Sequence, residues 1–263
     1  RIGWLRTLSE LNQAISKDPK NAEGYAKRAA HFAAANETRA ALADFGRAIG
    51  LDPQKAQYVN DRGLYLLAHK AWDLAIADFT AAIEKDPSNP QFHNNRGLAF
   101  FATQKWRKAI DDFTAAIEQQ PDFVEAWHNR GLANLKENPD DPSMALADLQ
   151  KVTEIKPEFA AAYHTRGLVY AQQKQWEQAL AEYSQAIERE QNNLKYHASR
   201  QQAYRELGRD EEAKVDGQKV QWLSDLAKYN GQVASNPQSA EAYVQRASHL
   251  AAGGHQDIAL TNY

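Results

Sequence analysis

Arginine stands directly before glycine at Arg62-Gly63, Arg96-Gly97, Arg130-Gly131 and Arg166-Gly167, and such a row of guanidiniums would hold a string of anions. An acid or amide recurs at matching intervals, however: Asp44, Asp78, Asp112, Asp148, Glu182, Asp216 and Asn262. Arginine and acid that return together are expected to pair with each other between packed helices, which leaves few donors for a ligand. The eight histidines are the next candidates. His128 and His164 hold equivalent places on neighbouring helices, with axes expected ~8–10 Å apart. The sequence positions no third ligand beside them, so no metal site is expected. There is no Cys, hence no disulfide, thiol nucleophile or cysteine-ligated metal. No Ser-His-Asp order, glycine-rich phosphate loop or His-Glu-x-x-His segment occurs. The reading is of a chain that is not an enzyme and needs no cofactor.

Composition narrows the partners. The 263 residues are 43% hydrophobic and 25% charged, enough apolar surface to fold and too little net charge for disorder. A formal charge of −3 argues against a dedicated nucleic-acid binder, which needs a basic excess. No run approaches eighteen apolar residues, so membrane insertion is not expected. The opening Arg1-Ile2-Gly3-Trp4 has neither a basic segment nor a long apolar run, and reads as a cut within a longer protein or a processed terminus. The compartment stays open: the cytoplasm is favoured, and a Cys-free chain also suits the periplasm.

Periodicity supplies the elements that position these side chains. Gly63, Gly97, Gly131 and Gly167 are separated by 34, 34 and 36 residues. Ala41, Ala75, Ala109, Ala145, Ala179, Ala213 and Ala259 recur in step, followed four residues later by Phe45, Phe79, Phe113, Leu149, Tyr183, Gly217 or Tyr263. Pro53, Pro87, Pro121, Pro157 and Pro237 close units, and Pro19 closes a partial one. In His93, Gly97 and Phe100 the spacing i, i+4, i+7 marks one helix face. A small residue at its centre admits the aromatic of a second helix. One such pair buries too little alone, and stacked pairs share a continuous core.

In the first full unit Tyr25, Ala29, Phe32, Ala41, Phe45, Ala48 and Pro53 match the consensus of the tetratricopeptide repeat, and the chain resembles that family along nearly its whole length. The resemblance implies an all-α, right-handed solenoid of tandem helix-turn-helix repeats. They follow a partial repeat at 1–21 and occupy 22–55, 56–89, 90–123, 124–159 and 160–193, a degenerate unit at 194–239 and a truncated one at 240–263. Departures are local. Unit 124–159 carries two extra residues within 138–143, and the degenerate unit has Gln201 for the expected Gly and Gly217 for the expected aromatic. Extra residues near 222–235 are expected to lengthen one helix over about 210–234, with Gly217 and Gly231 as possible breaks.

In that family one face of each first helix lines the concave side. Here that face carries Asn60, Asn94, His128 and His164 at its fifth position, and Asp61, Asn95 and Asn129 at its sixth. Leu64, Leu98, Leu132 and Leu168 stand at the ninth, and Phe101 at the twelfth. These are the candidate peptide-binding residues: an amide matches a peptide group's donor and acceptor, and a leucine lane adds apolar area. Hydrogen bonds from two asparagines contribute about 2–4 kcal/mol. Micromolar affinity needs about 8, so the apolar lane must supply the rest. The Lys and Asn of the family's chaperone-binding clamp are missing, since Ala26 and Ala30 stand at those places.

Residues 219–263 repeat residues 1–45 at a constant offset of 218: Trp4-Leu5 recurs as Trp222-Leu223, and Arg28-Ala29-x-His31 as Arg246-Ala247-x-His249. Trp4 and Leu5 lie outside the repeat consensus, so their recurrence indicates a duplicated multi-repeat module. The expectation is a fragment of a longer array that binds a protein or peptide partner. The alternatives are a spacer that self-associates through its solenoid ends, or the targeting arm of an enzyme encoded elsewhere in the parent chain.

Overall fold

The computed structural model describes residues 2–254. Among these residues the chain is all-α, and it forms two compact units, Arg1–Asp148 and Leu149–Tyr263. The first unit holds α1 (Ile2–Lys17), α2 (Ala22–Ala34), α3 (Thr38–Leu51), α4 (Ala56–Ala68), α5 (Trp72–Lys85), α6 (Pro90–Ala102), α7 (Trp106–Gln119) and α8 (Val124–Glu137). The boundary falls within α9 (Ser143–Ile155). The second unit continues with α10 (Ala160–Gln172), α11 (Trp176–Arg189), α12 (Leu194–Glu206), α13 (Asp210–Ser235) and α14 (Ala240–Ala252). Ala259, Asn262 and Tyr263, which continue the sequence pattern, lie outside the described residues.

In three of the pairs a glycine of the first helix admits a ring of the second. A Cβ on Gly63 of α4 would lie 2.7 Å from the Phe79 ring of α5, and one on Gly97 of α6 would lie 2.6 Å from Phe113 of α7. In the second unit Gly167 of α10 meets Tyr183 of α11 in the same way. Side chains at these glycines would force rings that are fully buried out of the core, at a cost of about 1–3 kcal/mol. The ring also serves the next pair, because Phe79 clusters with Leu66 and Ala75 of its own pair and with Ala99 of α6.

The turn after most first helices places one residue in the left-handed region: Asn36, Lys70, Gln104, Lys174, Gly208 and, after α14, Gly254, with φ of 58–81°. The longer connection from α8 to α9 has no such residue, and Asp141 instead accepts a hydrogen bond from the Ser143 backbone N–H at 3.1 Å.

α13 is one helix of 26 residues, broken by neither Gly217 nor Gly231. Its first half carries Asp216, the acid that pairs with Arg200 of α12. Its second half sets Trp222 and Leu226 against Ala247 and Leu250 of α14. Helices α10 and α12 touch, whereas α12 and α14 do not. One long helix therefore does the work of two, and the first helix that would lie between α12 and α14 is missing.

Candidate functional site

The arginines are structural. Arg62 Nε and Nη2 donate to Asp78 at 2.8 and 2.7 Å, and Arg96 grips Asp112 with the same two distances. Arg28 with Asp44, Arg130 with Asp148 and Arg200 with Asp216 make the same fork. The hydrogen bonds to these carboxylates raise Arg28, Arg62, Arg96 and Arg200 above the usual arginine range. A third donor reaches back 16 residues to the preceding pair: Arg28 to Asn12, Arg96 to Thr80, Arg130 to Thr114 and Arg200 to Ser184. The ladder thus ties both the pair and its neighbour. Burial alone would raise Asp216, but hydrogen bonds from Arg200 and His197 outweigh it and hold the acid below the usual carboxylate range.

The asparagines form a second set of links, between successive first helices. Asn95 Nδ2 donates to Asn60 Oδ1 at 2.8 Å, and Asn129 Nδ2 donates to Asn94 Oδ1 at 3.0 Å. Each link joins the fifth position of one helix to the sixth of the next. Asn60, Asn94 and Asn95 are buried, and Asn129 is half-buried. These four amides bond to each other across helices. In the second unit His164 and the Ser199 hydroxyl make the equivalent link at 2.9 Å. Burial pulls His164 down to about 4, with Lys195 adding to the effect, and its ring lies 4.7 Å from Tyr196. The ring is half-buried between Tyr183 and Tyr196. Among the described residues no group of His, Asp and Glu is placed to hold a metal.

The apolar lane lies nearer solvent. Leu64 is 40% exposed, whereas Leu98, Phe101 and Leu132 are half-buried. Phe101 meets Trp106 edge-on at 4.9 Å. In the second unit Leu168 is 41% exposed. Asp61 and His128 are half-buried on the same helix face.

The sequence reading missed two features. Trp4 stacks on His31 at 4.9 Å, and His31 Nε2 lies 2.9 Å from the Trp4 carbonyl oxygen. Trp222 and His249 repeat this in the second unit, at 5.3 Å for the rings and 2.9 Å for the same bond. The duplicated tryptophans, which the repeat consensus does not explain, therefore have a packing role. The second feature is a cleft of about 460 Å³ between α2 and α4, bordered by Ala26, Lys27, Ala30, Lys55, Tyr58 and Asp61. Alanine at Ala26 and Ala30, where the next two pairs carry an asparagine and a leucine, was its signal.

A family model described as tetratricopeptide repeat matches residues 26–90 and another matches 160–193, while one described as TPR repeat matches 97–138. None of the curated proteins matches the chain. Among solved structures, YrrB, described as a TPR protein with an unusual peptide-binding site, is 24% identical over 71% of this chain and 95% of its own, with a TM-score of 0.55. PilF of Pseudomonas aeruginosa is 15% identical over 86% of this chain and 96% of its own, with a TM-score of 0.65. A chain of the APC/C complex Cut9-Hcn1 is 16% identical over 93% of this chain and 46% of its own, at 0.66. These likenesses are of fold. The three family models together match more than half of the residues, on the helix pairs whose glycine-ring and arginine-acid contacts recur, and the chain belongs to the tetratricopeptide repeat family.

Proposed function

We propose that the chain is a non-catalytic interaction scaffold that receives a segment of a partner protein on the first-helix face of its N-terminal unit. The observation that carries this reading is the apolar lane, with Leu64 40% exposed and Leu98, Phe101 and Leu132 half-buried beside it. Helices α2, α4, α6 and α8 touch in sequence, so these side chains form consecutive rungs. Leu64 and its half-buried neighbours still have apolar area to cover, each contributing at most roughly 1.5–3 kcal/mol, so micromolar affinity, about 8 kcal/mol, also draws on polar contacts to offset the cost of association. Asn60, Asn94, Asn95 and Asn129 support the lane by fixing the helix spacing, while the more open Asp61 and His128 border it. In the second unit Leu168 and His164 occupy the corresponding face.

The test is selection of a phage-displayed random peptide library on the whole chain, followed by the variants Leu64→Asp and Leu132→Asp. Both should melt as the parent does and lose the selected peptides by at least about tenfold, near 1.4 kcal/mol. Unchanged peptide binding by both variants would remove the lane from the binding surface.

A further inference from the structure

Between α4 and α6 the space at the fifth and sixth positions is filled by Asn60 and Asn95, and between α6 and α8 by Asn94 and Asn129. Between α2 and α4 the rung is missing. Its fifth-position residue is Ala26, too short to reach Asp61, the sixth-position residue opposite. The cleft of about 460 Å³ opens at this gap, and Ala30 at the ninth position widens it. Asp61 therefore presents a carboxylate to the cleft where the next two helices present an amide already bonded to a neighbour. Its hydrogen bonds come from its own helix, from Gln57 Nε2 at 2.6 Å and Asn60 Nδ2 at 3.5 Å.

The charges around the gap favour a cation. Glu23, Asp52 and Asp61 border the cleft together with Lys27 and Lys55, and Lys27 is already paired with Glu23 at 2.7 Å. The Tyr58 hydroxyl reports the balance: burial raises it first, and Glu23, Asp52 and Asp61 each raise it further against the smaller opposing effect of Lys27. A partner side chain that enters here would replace the absent rung, with its polar end on Asp61 and its stem along Ala26, Ala30 and the Tyr58 ring. An acidic or purely apolar side chain would leave Asp61 without a new partner, whereas a guanidinium would offer it a two-pronged, charge-assisted contact.

We infer that the α2–α4 cleft is a subsite for a basic side chain of the bound partner, arginine above lysine, held by Asp61 in the place of the missing inter-helix link. This inference rests on the interaction face proposed above and adds to it a chemical preference at one end of the lane.

Two measurements separate the subsite from the lane. The first titrates N-acetyl-arginine amide into the isotope-labelled chain, with the capped forms of glutamate and leucine as controls, and follows backbone amide shifts. Capped arginine should move the amides of Ala26, Tyr58 and Asp61, and both Asp61→Asn and Ala26→Asn should abolish the movement. The first variant removes the charge, and the second supplies the absent amide and closes the cleft. The second measurement compares peptides selected from the random library. Asp61→Asn should weaken arginine-containing peptides about tenfold and leave their arginine-to-leucine replacements unchanged, while Leu132→Asp should weaken both. Shifts that appear elsewhere, equal movement with capped glutamate, or an arginine preference that survives Asp61→Asn and Ala26→Asn would each overturn the subsite. Loss of all binding in Leu132→Asp alone would still leave the lane in place.

Discussion

The Gln201 side-chain amide lies against Gly217, whereas one pair earlier the ring of Tyr183 lies against Gly167. Large and small partners have changed helices. In the regular pair the first helix supplies the glycine and the second the ring. In the degenerate pair the first helix supplies the long side chain and the second the glycine. Two departures that look like decay in the sequence are thus one complementary exchange, and their coupling is measurable. Gly217→Tyr alone should lower stability by about 1–3 kcal/mol through overpacking. Gln201→Gly with Gly217→Tyr restores the regular arrangement and should recover most of that loss. A double-mutant cycle on melting temperature would show independence, rather than exchange, if the two effects simply added.

How much of this was legible depended on whether a contact shows itself within one repeat. The glycine, aromatic and proline spacing marked the helix pairs, and the recurrence of Arg28 with Asp44 through Arg200 with Asp216 marked the ladder, because each partner returns 16 residues later or, at Asp148, 18. The Asn60–Asn95 bond spans 35 residues and joins different positions of successive units, so the asparagines were placed on the correct helices without their partners. Similarly, Lys70, Gln104 and Lys174 hold φ near 60° although nothing in their side chains asks for it. The turn geometry imposes that conformation, and the residue type does not disclose it. Trp4 and His31 stack across 27 residues, which only the duplication hinted at.

The one ladder rung built with glutamate should be improvable. Arg166 Nη2 reaches Glu182 at 2.8 Å, but Arg166 Nε is buried without a hydrogen-bond partner. Aspartate at the equivalent places takes both nitrogens. An unsatisfied buried donor costs about 1–3 kcal/mol, so Glu182→Asp should raise stability by about 1 kcal/mol in chemical denaturation. A lowered midpoint would mean that the longer side chain is needed for packing.

Acid sensitivity has a named source in the second unit. Burial holds His164 at about 4 in the folded chain, well below the 6.5 of a free imidazole. The unfolded chain therefore binds the extra proton first. Stability from this residue is full above pH 6.5 and declines as the pH falls toward 4, where the folded form also titrates. With allowance for partial solvent contact the loss is roughly 2 kcal/mol. His164→Asn, which keeps a hydrogen-bonding group for Ser199, should flatten the melting temperature between those limits. A variant that retains the parent's slope would assign the acid sensitivity to other groups.

The missing helix beside α13 should make a weak joint. In a stacked array stability is the sum of pair terms and nearest-neighbour interfaces, and α12 and α14 share no interface. Helix α14 is joined to the preceding pair through the continuous backbone of α13, with Trp222 and Leu226 on one side and Asp216 on the other. Amides of α14 should therefore exchange with solvent through a lower-energy opening than those of α10 and α12, as a separate cooperative step. Ser224→Pro, at an exposed site on α13, removes one backbone donor and should cost about 3 kcal/mol in helix continuity. That cost should fall on α14, raising its exchange while the amides around Arg200 and Asp216 keep theirs. Equal acceleration of α12 and α14 would show that the two helices open together and that α13 transmits stability as well as a direct interface does.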